Sequence, residues 1–171
     1  FIDRKTMSTV SIKPAGVAEA ECISEIGKKS YWETYPAILT TEQIDFMLNK
    51  NYSVEAIQAL MDSGQDFYVL YEDAVAKGFV SVQVKEQFIM RIEKLYLLAE
   101  VKGKGYGKLL LDFVAQLAKS KDLKRLELNV NRNNPAYYFY LKQNFLITET
   151  VDIPYHGYVL DDYVMQKDLT L

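Results

Sequence analysis

Cysteine occurs once and histidine once among 171 residues. The lone Cys22 cannot build an internal disulfide framework, and no cysteine and histidine cluster remains to hold a metal, so no metal site is expected. No apolar run approaches the roughly 18 to 20 residues that span a bilayer, and the first residues lack a basic region followed by an apolar stretch. The reading is of a cytoplasmic protein without a membrane partner. Charge of neither sign dominates: the net charge of −3 weighs against nucleic acid and suits a cationic partner, although it decides neither. With four prolines and eight glycines there is no linker, repeat or low-complexity tract. Residues 1–171 read as one domain, with Phe1 to Thr6 dispensable and Met7 a candidate start.

What is present is a core-forming pattern that changes period along the chain. Val10 to Lys13 alternates and meets Pro14, as a short strand before a turn does. Ala18, Cys22, Ile23, Ile26 and Ser30 recur at helical spacing from Val17 to about Tyr31, which makes Cys22 a small core residue. Thr41 and Ser53 are candidate N-caps of two further helices. Phe67–Tyr71, Lys77–Lys85 and Phe88–Leu98 are rich in aromatic and β-branched residues and read as three consecutive antiparallel strands. Tyr106, Leu109, Leu110, Phe113, Val114 and Leu117 share one face of a helix that runs to about Ser120. Leu126–Val130 is a strand, Asn134-Pro135 opens a helix ending near Gln143, and Phe145–Asp152 and Val159–Lys167 are strands. This order predicts an α+β or α/β domain around a mixed central sheet.

The chemistry concentrates at Lys102-Gly103-Lys104-Gly105-Tyr106-Gly107-Lys108, where a strand passes through alternate glycines into a helix. Glycines let backbone N–H groups approach an anion, and a helix N-terminus adds free donors and the positive end of its dipole. A phosphate or pyrophosphate is the expected guest, with the three lysines adding charge; the competing reading is a turn needed only for packing. A P-loop is excluded because Leu109, not a hydroxyl residue, follows Gly107-Lys108. A dinucleotide fingerprint is disfavoured because the turn follows an antiparallel meander rather than opening a parallel βαβ unit.

The turn resembles the acyl-CoA signature of the GNAT superfamily, Gln/Arg-x-x-Gly-x-Gly/Ala, with Lys102, Gly105 and Gly107 in the signature positions. Asn133-Asn134-Pro135-Ala136-Tyr137-Tyr138-Phe139-Tyr140 through Phe145 is similar to the family's Asn-x-x-Ala-x-x-x-Tyr-x-x-x-Gly-Phe. Asn144 stands for the glycine there, and asparagine tolerates the left-handed conformation such a cap requires. Trp32-Glu33-Thr34-Tyr35, Ile92-Glu93 and Asp161-Asp162-Tyr163-Val164-Met165 look most like polyamine acetyltransferases of the PaiA type. The resemblance implies a three-layer fold with a mostly antiparallel sheet flanked by helices on both faces. It implies acetyl-CoA as cosubstrate, its pyrophosphate on Lys102–Lys108 with Asn133 nearby, and its pantetheine arm pairing with Leu95, Tyr96 and Leu97.

The reaction so implied is transfer of an acetyl group to a primary amine by direct attack. Tyr140 matches the family tyrosine that protonates the departing thiolate. Glu93 is a candidate base because period-two alternation puts it on the face of Leu95 and Leu97; the competing reading is a solvent-facing glutamate. Arg91 holds a position where some members carry another carboxylate. Trp32, Tyr35, Tyr155 and Asp161 are candidates for the acceptor pocket, since aromatic faces and carboxylates suit an ammonium, or else they pack core and loops. His156 reads as a loop residue. The acceptor stays open between a polyamine or other small amine and a protein N-terminus, as do a homodimer and a non-catalytic acyl-CoA sensor.

Overall fold

A computed structural model describes residues 8–171, so the expectation for Phe1 to Thr6 lies outside the described residues. Seven strands form one sheet in the order β1-β2-β3-β4-β5-β7-β6. They are β1 Val10–Ala15, β2 Asp66–Glu72, β3 Val75–Lys85, β4 Ile89–Leu97, β5 Arg125–Asn131, β6 Leu146–Tyr155 and β7 Tyr158–Asp168. All neighbours are antiparallel except β4 and β5, which are joined by a crossover helix as a parallel pair must be. The helices are α1 Ala20–Thr34, α2 Thr41–Asn51, α3 Val54–Asp62, α4 Tyr106–Ser120 and α5 Ala136–Lys142.

Alternation in the strands gives the sheet two apolar faces, and each is covered. Ile23, Ile26, Ile44, Leu48 and Ile57 of α1 to α3 bury against Phe67, Val69 and Phe79 on one face. Leu110, Leu111, Val114 and Ala118 of α4 bury with Val80, Val82, Met90, Ile92, Leu126, Leu128 and Met165 on the other. This is the three-layer arrangement expected of a mostly antiparallel sheet with helices on both sides.

The boundaries differ from the sequence reading in physically traceable ways. β1 continues through Pro14 to Ala15, because an edge strand needs no ladder donor on its open side. The first helix opens with a 3₁₀ turn at Val17–Glu19 before α1, which extends to Thr34. Thr40, not Thr41, caps α2, its hydroxyl accepting from Gln43 N at 3.1 Å, whereas Ser53 caps α3 on Ala56 N at 3.1 Å as anticipated. Cys22 is half-buried and packs beside the α1 to α3 core.

At the end of α5, Asn144 has φ +68, and the N–H of Phe145 returns to the Tyr140 carbonyl at 3.1 Å. That left-handed residue turns the chain so that Phe145 is fully buried beneath α4. A β-branched side chain is disfavoured there by its Cβ, while glycine is not. Asn144→Val is therefore expected to lower stability by about 1–2 kcal/mol, and Asn144→Gly by less than about 0.5 kcal/mol. Urea unfolding with an unchanged slope would measure both; equal stability of the valine variant would refute the assignment of strain to this cap.

Candidate active site

β4 and β5 are hydrogen-bonded only where Ile89–Ile92 face Arg125–Leu128. Beyond that point they part: Lys94–Leu97 pair with β3, and Asn129–Asn131 with β7. The gap opens into a cleft of about 990 Å³, at the upper end of the range for small-ligand sites. Backbone groups on the free edge of β4 are in effect an open place in the sheet, suited to an extended ligand that pairs as a strand would.

At one end of the cleft stand Lys102, Gly103, Gly105, Tyr106, Gly107 and Lys108. Gly105 has φ +82, and an added Cβ would meet nothing within 4 Å; the backbone conformation, not crowding, demands glycine. Gly107 is the reverse, since a Cβ there would stand 3.0 Å from Phe139 Cζ, and its absence lets α4 approach α5. The first helical bond of α4 runs from Leu109 N to Gly105 O at 3.2 Å. The N–H groups of Tyr106, Gly107 and Lys108 are left for an anion at the positive end of the helix dipole.

Two of the three lysines of the turn are committed within the protein. Lys104 does not line the cleft: its Nζ lies 2.9 Å from Glu72 Oε2 at the end of β2, and the Tyr106 hydroxyl donates to the same oxygen. Lys108 pairs with Asp112 one turn along α4 at 2.7 Å, an exposed contact of little energy. Asn133 is also outside the cleft, its N–H bound to Asn131 Oδ1 at 2.8 Å. Its neighbour Asn134 lines the cleft instead, donating from Nδ2 to the Tyr35 hydroxyl at 3.1 Å and so bridging α5 to α1.

Glu93 does not share the face of Leu95 and Leu97, because β4 carries a bulge: Ile92 faces Val82 and Lys94 faces Ser81, leaving Glu93 as the extra residue. The bulge shifts the phase, so that Met90 and Ile92 before it and Leu95 and Leu97 after it all meet the α4 core. Glu93 lies instead with Arg91, 3.5 Å from its Nε, and still lines the cleft. Arg91 continues to Glu127 at 2.7 Å and to Asn129 Oδ1 at 2.6 Å.

Next to the bulge, Lys94 is half-buried, with Nζ 4.3 Å from the centre of the Tyr52 ring. Burial lowers its pKa to about 8, against an opposing pull from Glu93. Tyr52 donates to the Tyr96 hydroxyl at 2.6 Å, and Tyr31 lies 4.2 Å from Tyr35 and 5.6 Å from Tyr52, ring centre to ring centre. Tyr155, at the end of β6, donates to Asn51 Oδ1 at 3.0 Å and closes this wall over α2. Tyr140 of α5 lines the same cleft, and burial holds its hydroxyl well above the usual phenol range.

Two acceptor-pocket candidates lie elsewhere. Trp32 sits off the inward face of α1, which presents Tyr31, Thr34 and Tyr35 to the cleft. Asp161 is not among the residues that line the cleft, although its Oδ1 accepts from Nδ2 of cleft-lining Asn131 at 3.0 Å; Asp162 lines the cleft in its place. His156 lies in the turn between β6 and β7, packed 5.7 Å from the Phe46 ring. No group of histidine, cysteine, aspartate and glutamate suited to a metal occurs among the described residues, and no helix there is long and apolar enough to cross a membrane.

Comparison with known proteins adds to this geometry. The model of the acetyltransferase (GNAT) family matches residues 27–145. The spermidine N(1)-acetyltransferase of Thermoplasma acidophilum is 25% identical over 168 residues, covering 93% of this chain and 97% of that protein. The crystal structure of PaiA N-acetyltransferase from Thermoplasma acidophilum in complex with coenzyme A superposes with a TM-score of 0.81 at 25% identity, over 94% of this chain and 99% of that one. A GCN5-related N-acetyltransferase from Rhodopseudomonas palustris, 21% identical over 96% of this chain and 99% of its own, has the same fold at a TM-score of 0.81. Because the family match takes in β4, the glycine turn and α5 together, the chain belongs to the acetyltransferase (GNAT) family.

Proposed function

We propose that this acetyl-CoA-dependent N-acetyltransferase acts on a primary amine of a small polycationic acceptor, by direct attack within a ternary complex. The observation that carries the reading is that the parted β4 and β5 and the free N-terminus of α4 open into one cleft. A pyrophosphate suits the N–H groups of Tyr106, Gly107 and Lys108 with Lys102 beside them, and a pantetheine arm suits the open edge of Leu95, Tyr96 and Leu97. Coenzyme A in the Thermoplasma PaiA structure and the activity named for the spermidine N(1)-acetyltransferase support donor and acceptor class respectively. The aromatic wall of Tyr31, Tyr35 and Tyr155 supports a cationic acceptor.

The chemistry required of the chain is modest. An amine nitrogen bonds to the thioester carbonyl carbon, the carbon–sulfur bond breaks, one proton leaves the nitrogen and one reaches the sulfur. A β4 N–H polarises the carbonyl and steadies the oxyanion. Tyr140, protonated across the working pH range, supplies the sulfur's proton. Glu93 receives, directly or through water, the proton that an alkyl ammonium of pKa about 10.4 must lose before it attacks; the second proton, lost from the nitrogen after it has bonded to carbon, passes to water and balances the one that Tyr140 gives to sulfur. The Arg91 contact holds the Glu93 carboxylate at the bulge of β4, on the lining of the cleft.

Gly105→Val places a β-branched residue at φ +82 and is expected to weaken acetyl-CoA binding at least tenfold while the fold survives. Calorimetry giving an unchanged affinity would remove the turn from the cofactor site. Glu93→Gln is expected to depress the rate more at neutral than at alkaline pH, where neutral amine is plentiful; a pH–rate profile parallel to the parent's would exclude it as the base. Tyr140→Phe keeps the ring and removes the proton, so kcat is expected to fall about a hundredfold with KM for acetyl-CoA nearly constant. A kcat within about threefold of the parent would leave Tyr140 as a wall of the sulfur pocket.

A further inference from the structure

The cleft already contains an amine of the protein's own. Among the described residues Lys94 forms no ion pair. Glu93, beside it in the chain, lies instead 3.5 Å from Arg91 Nε and 4.0 Å from Lys85 Nζ. The Nζ of Lys94 rests over the Tyr52 ring, a contact that recovers part of the cost of removing an ammonium from water but supplies no counter-ion. Lys108, another lysine of the cleft lining, has its carboxylate in Asp112. With its pKa lowered to about 8 by burial, roughly one in ten Lys94 amines is uncharged at pH 7, against fewer than about one in a thousand for a lysine of pKa about 10.4. A neutral alkyl amine is a nucleophile, and an ammonium is not.

The position of Lys94 follows from the two ends of the cleft. A pyrophosphate suits the turn that comes after Leu97, so an arm paired along the open edge runs back from Leu97 toward Leu95. Its acyl end is then directed at the apex, where β4 parts from β5 beyond Ile92. The bulge of β4 stands at that apex, and Lys94 is the first residue after it to pair again with β3, opposite Ser81. Lys94, Tyr52 and the open edge of Leu95 to Leu97 line one and the same cleft.

We propose that Lys94 is a site of self-acetylation, its side-chain amine taking the acetyl group from acetyl-CoA bound to the same chain, a proposal that rests on the acetyltransferase reading of the cleft. The ammonium first loses a proton to water. The neutral Nζ bonds to the thioester carbonyl carbon, the carbon–sulfur bond breaks, and a second proton leaves the nitrogen for water. The sulfur departs as a thiol with a proton from Tyr140, which water restores. The products are an acetylated lysine, coenzyme A and one released proton. The amide is neutral and longer than the amine it replaces, so the modification is made once per chain and fills part of the cleft next to Tyr52.

The test is peptide mass mapping of the full chain after incubation with acetyl-CoA and no added amine. Lys94 is expected to gain an acetyl group at least about tenfold faster than the exposed Lys28 and Lys50, as proximity to a bound thioester requires. The rate per chain is expected to be unchanged when the protein is diluted, and Lys94→Arg, which keeps the cation, is expected to abolish the matching release of thiol. An unmodified Lys94 in the parent, modification no faster than at Lys28 and Lys50, or a rate that falls on dilution would overturn the proposal. These readouts come from the parent protein and do not depend on the variant folding. Butylamine added to parallel samples separates the two readings: acetylation of butylamine with Lys94 unmodified overturns self-acetylation alone, whereas acetylation of neither overturns the acetyltransferase reading as well.

Discussion

The parting of β4 from β5 after Ile92 and Leu128 is the constraint on which the rest of the molecule depends. In the middle of a sheet, unpaired N–H and C=O groups away from water are costly, and folds avoid them unless something else supplies the partner. Here both strands are held apart from outside. Gly107 lets α4 close on Phe139 of α5, and Asn134 spans the opening to Tyr35 on α1. Glu33 Oε2 accepts from Ala99 N at 2.8 Å, fixing the chain just after β4 to the end of α1. The cleft is thus bounded by elements of both layers.

The bulge at Glu93 is the local device that makes this geometry serve chemistry. By adding one residue against β3 it keeps apolar side chains on the α4 face on both sides of itself, Ile92 before and Leu95 after. The charged residues Arg91 and Glu93 then lie together. From Arg91 a chain of contacts runs to Glu127, which accepts from Gln166 at 2.7 Å, and through Asn129 to Asp162. This polar strut crosses β4, β5 and β7 at the apex of the opening, with each member bonded to the next.

Much of this was legible before any coordinates, and the parts that were not share a cause. Element types followed from period and caps: the aromatic strands, the α4 stripe, Ser53, and Asn144 as a left-handed cap are all local properties of the chain. The glycine turn was legible because a strand, alternate glycines and a helix are contiguous. The misplacements arose where an answer depended on another strand. The face of Glu93 depended on a bulge set by pairing with β3. The engagement of Lys104 depended on Glu72, which lies 32 residues away in sequence. Trp32 was drawn into the pocket by its chemistry, although helical geometry gives the inward place to Tyr31, Thr34 and Tyr35.

The tyrosines explain how so polar a cleft can lie between two apolar layers. A tyrosine ring packs like a core residue while its hydroxyl finds a partner, and the wall is built from that property: Tyr52 bonds to Tyr96, Tyr35 to Asn134 and Tyr155 to Asn51. The rings lower the dielectric around Lys94, which is why its ammonium titrates near 8 and not in the usual lysine range. The same low dielectric strengthens any charge interaction made in the cleft.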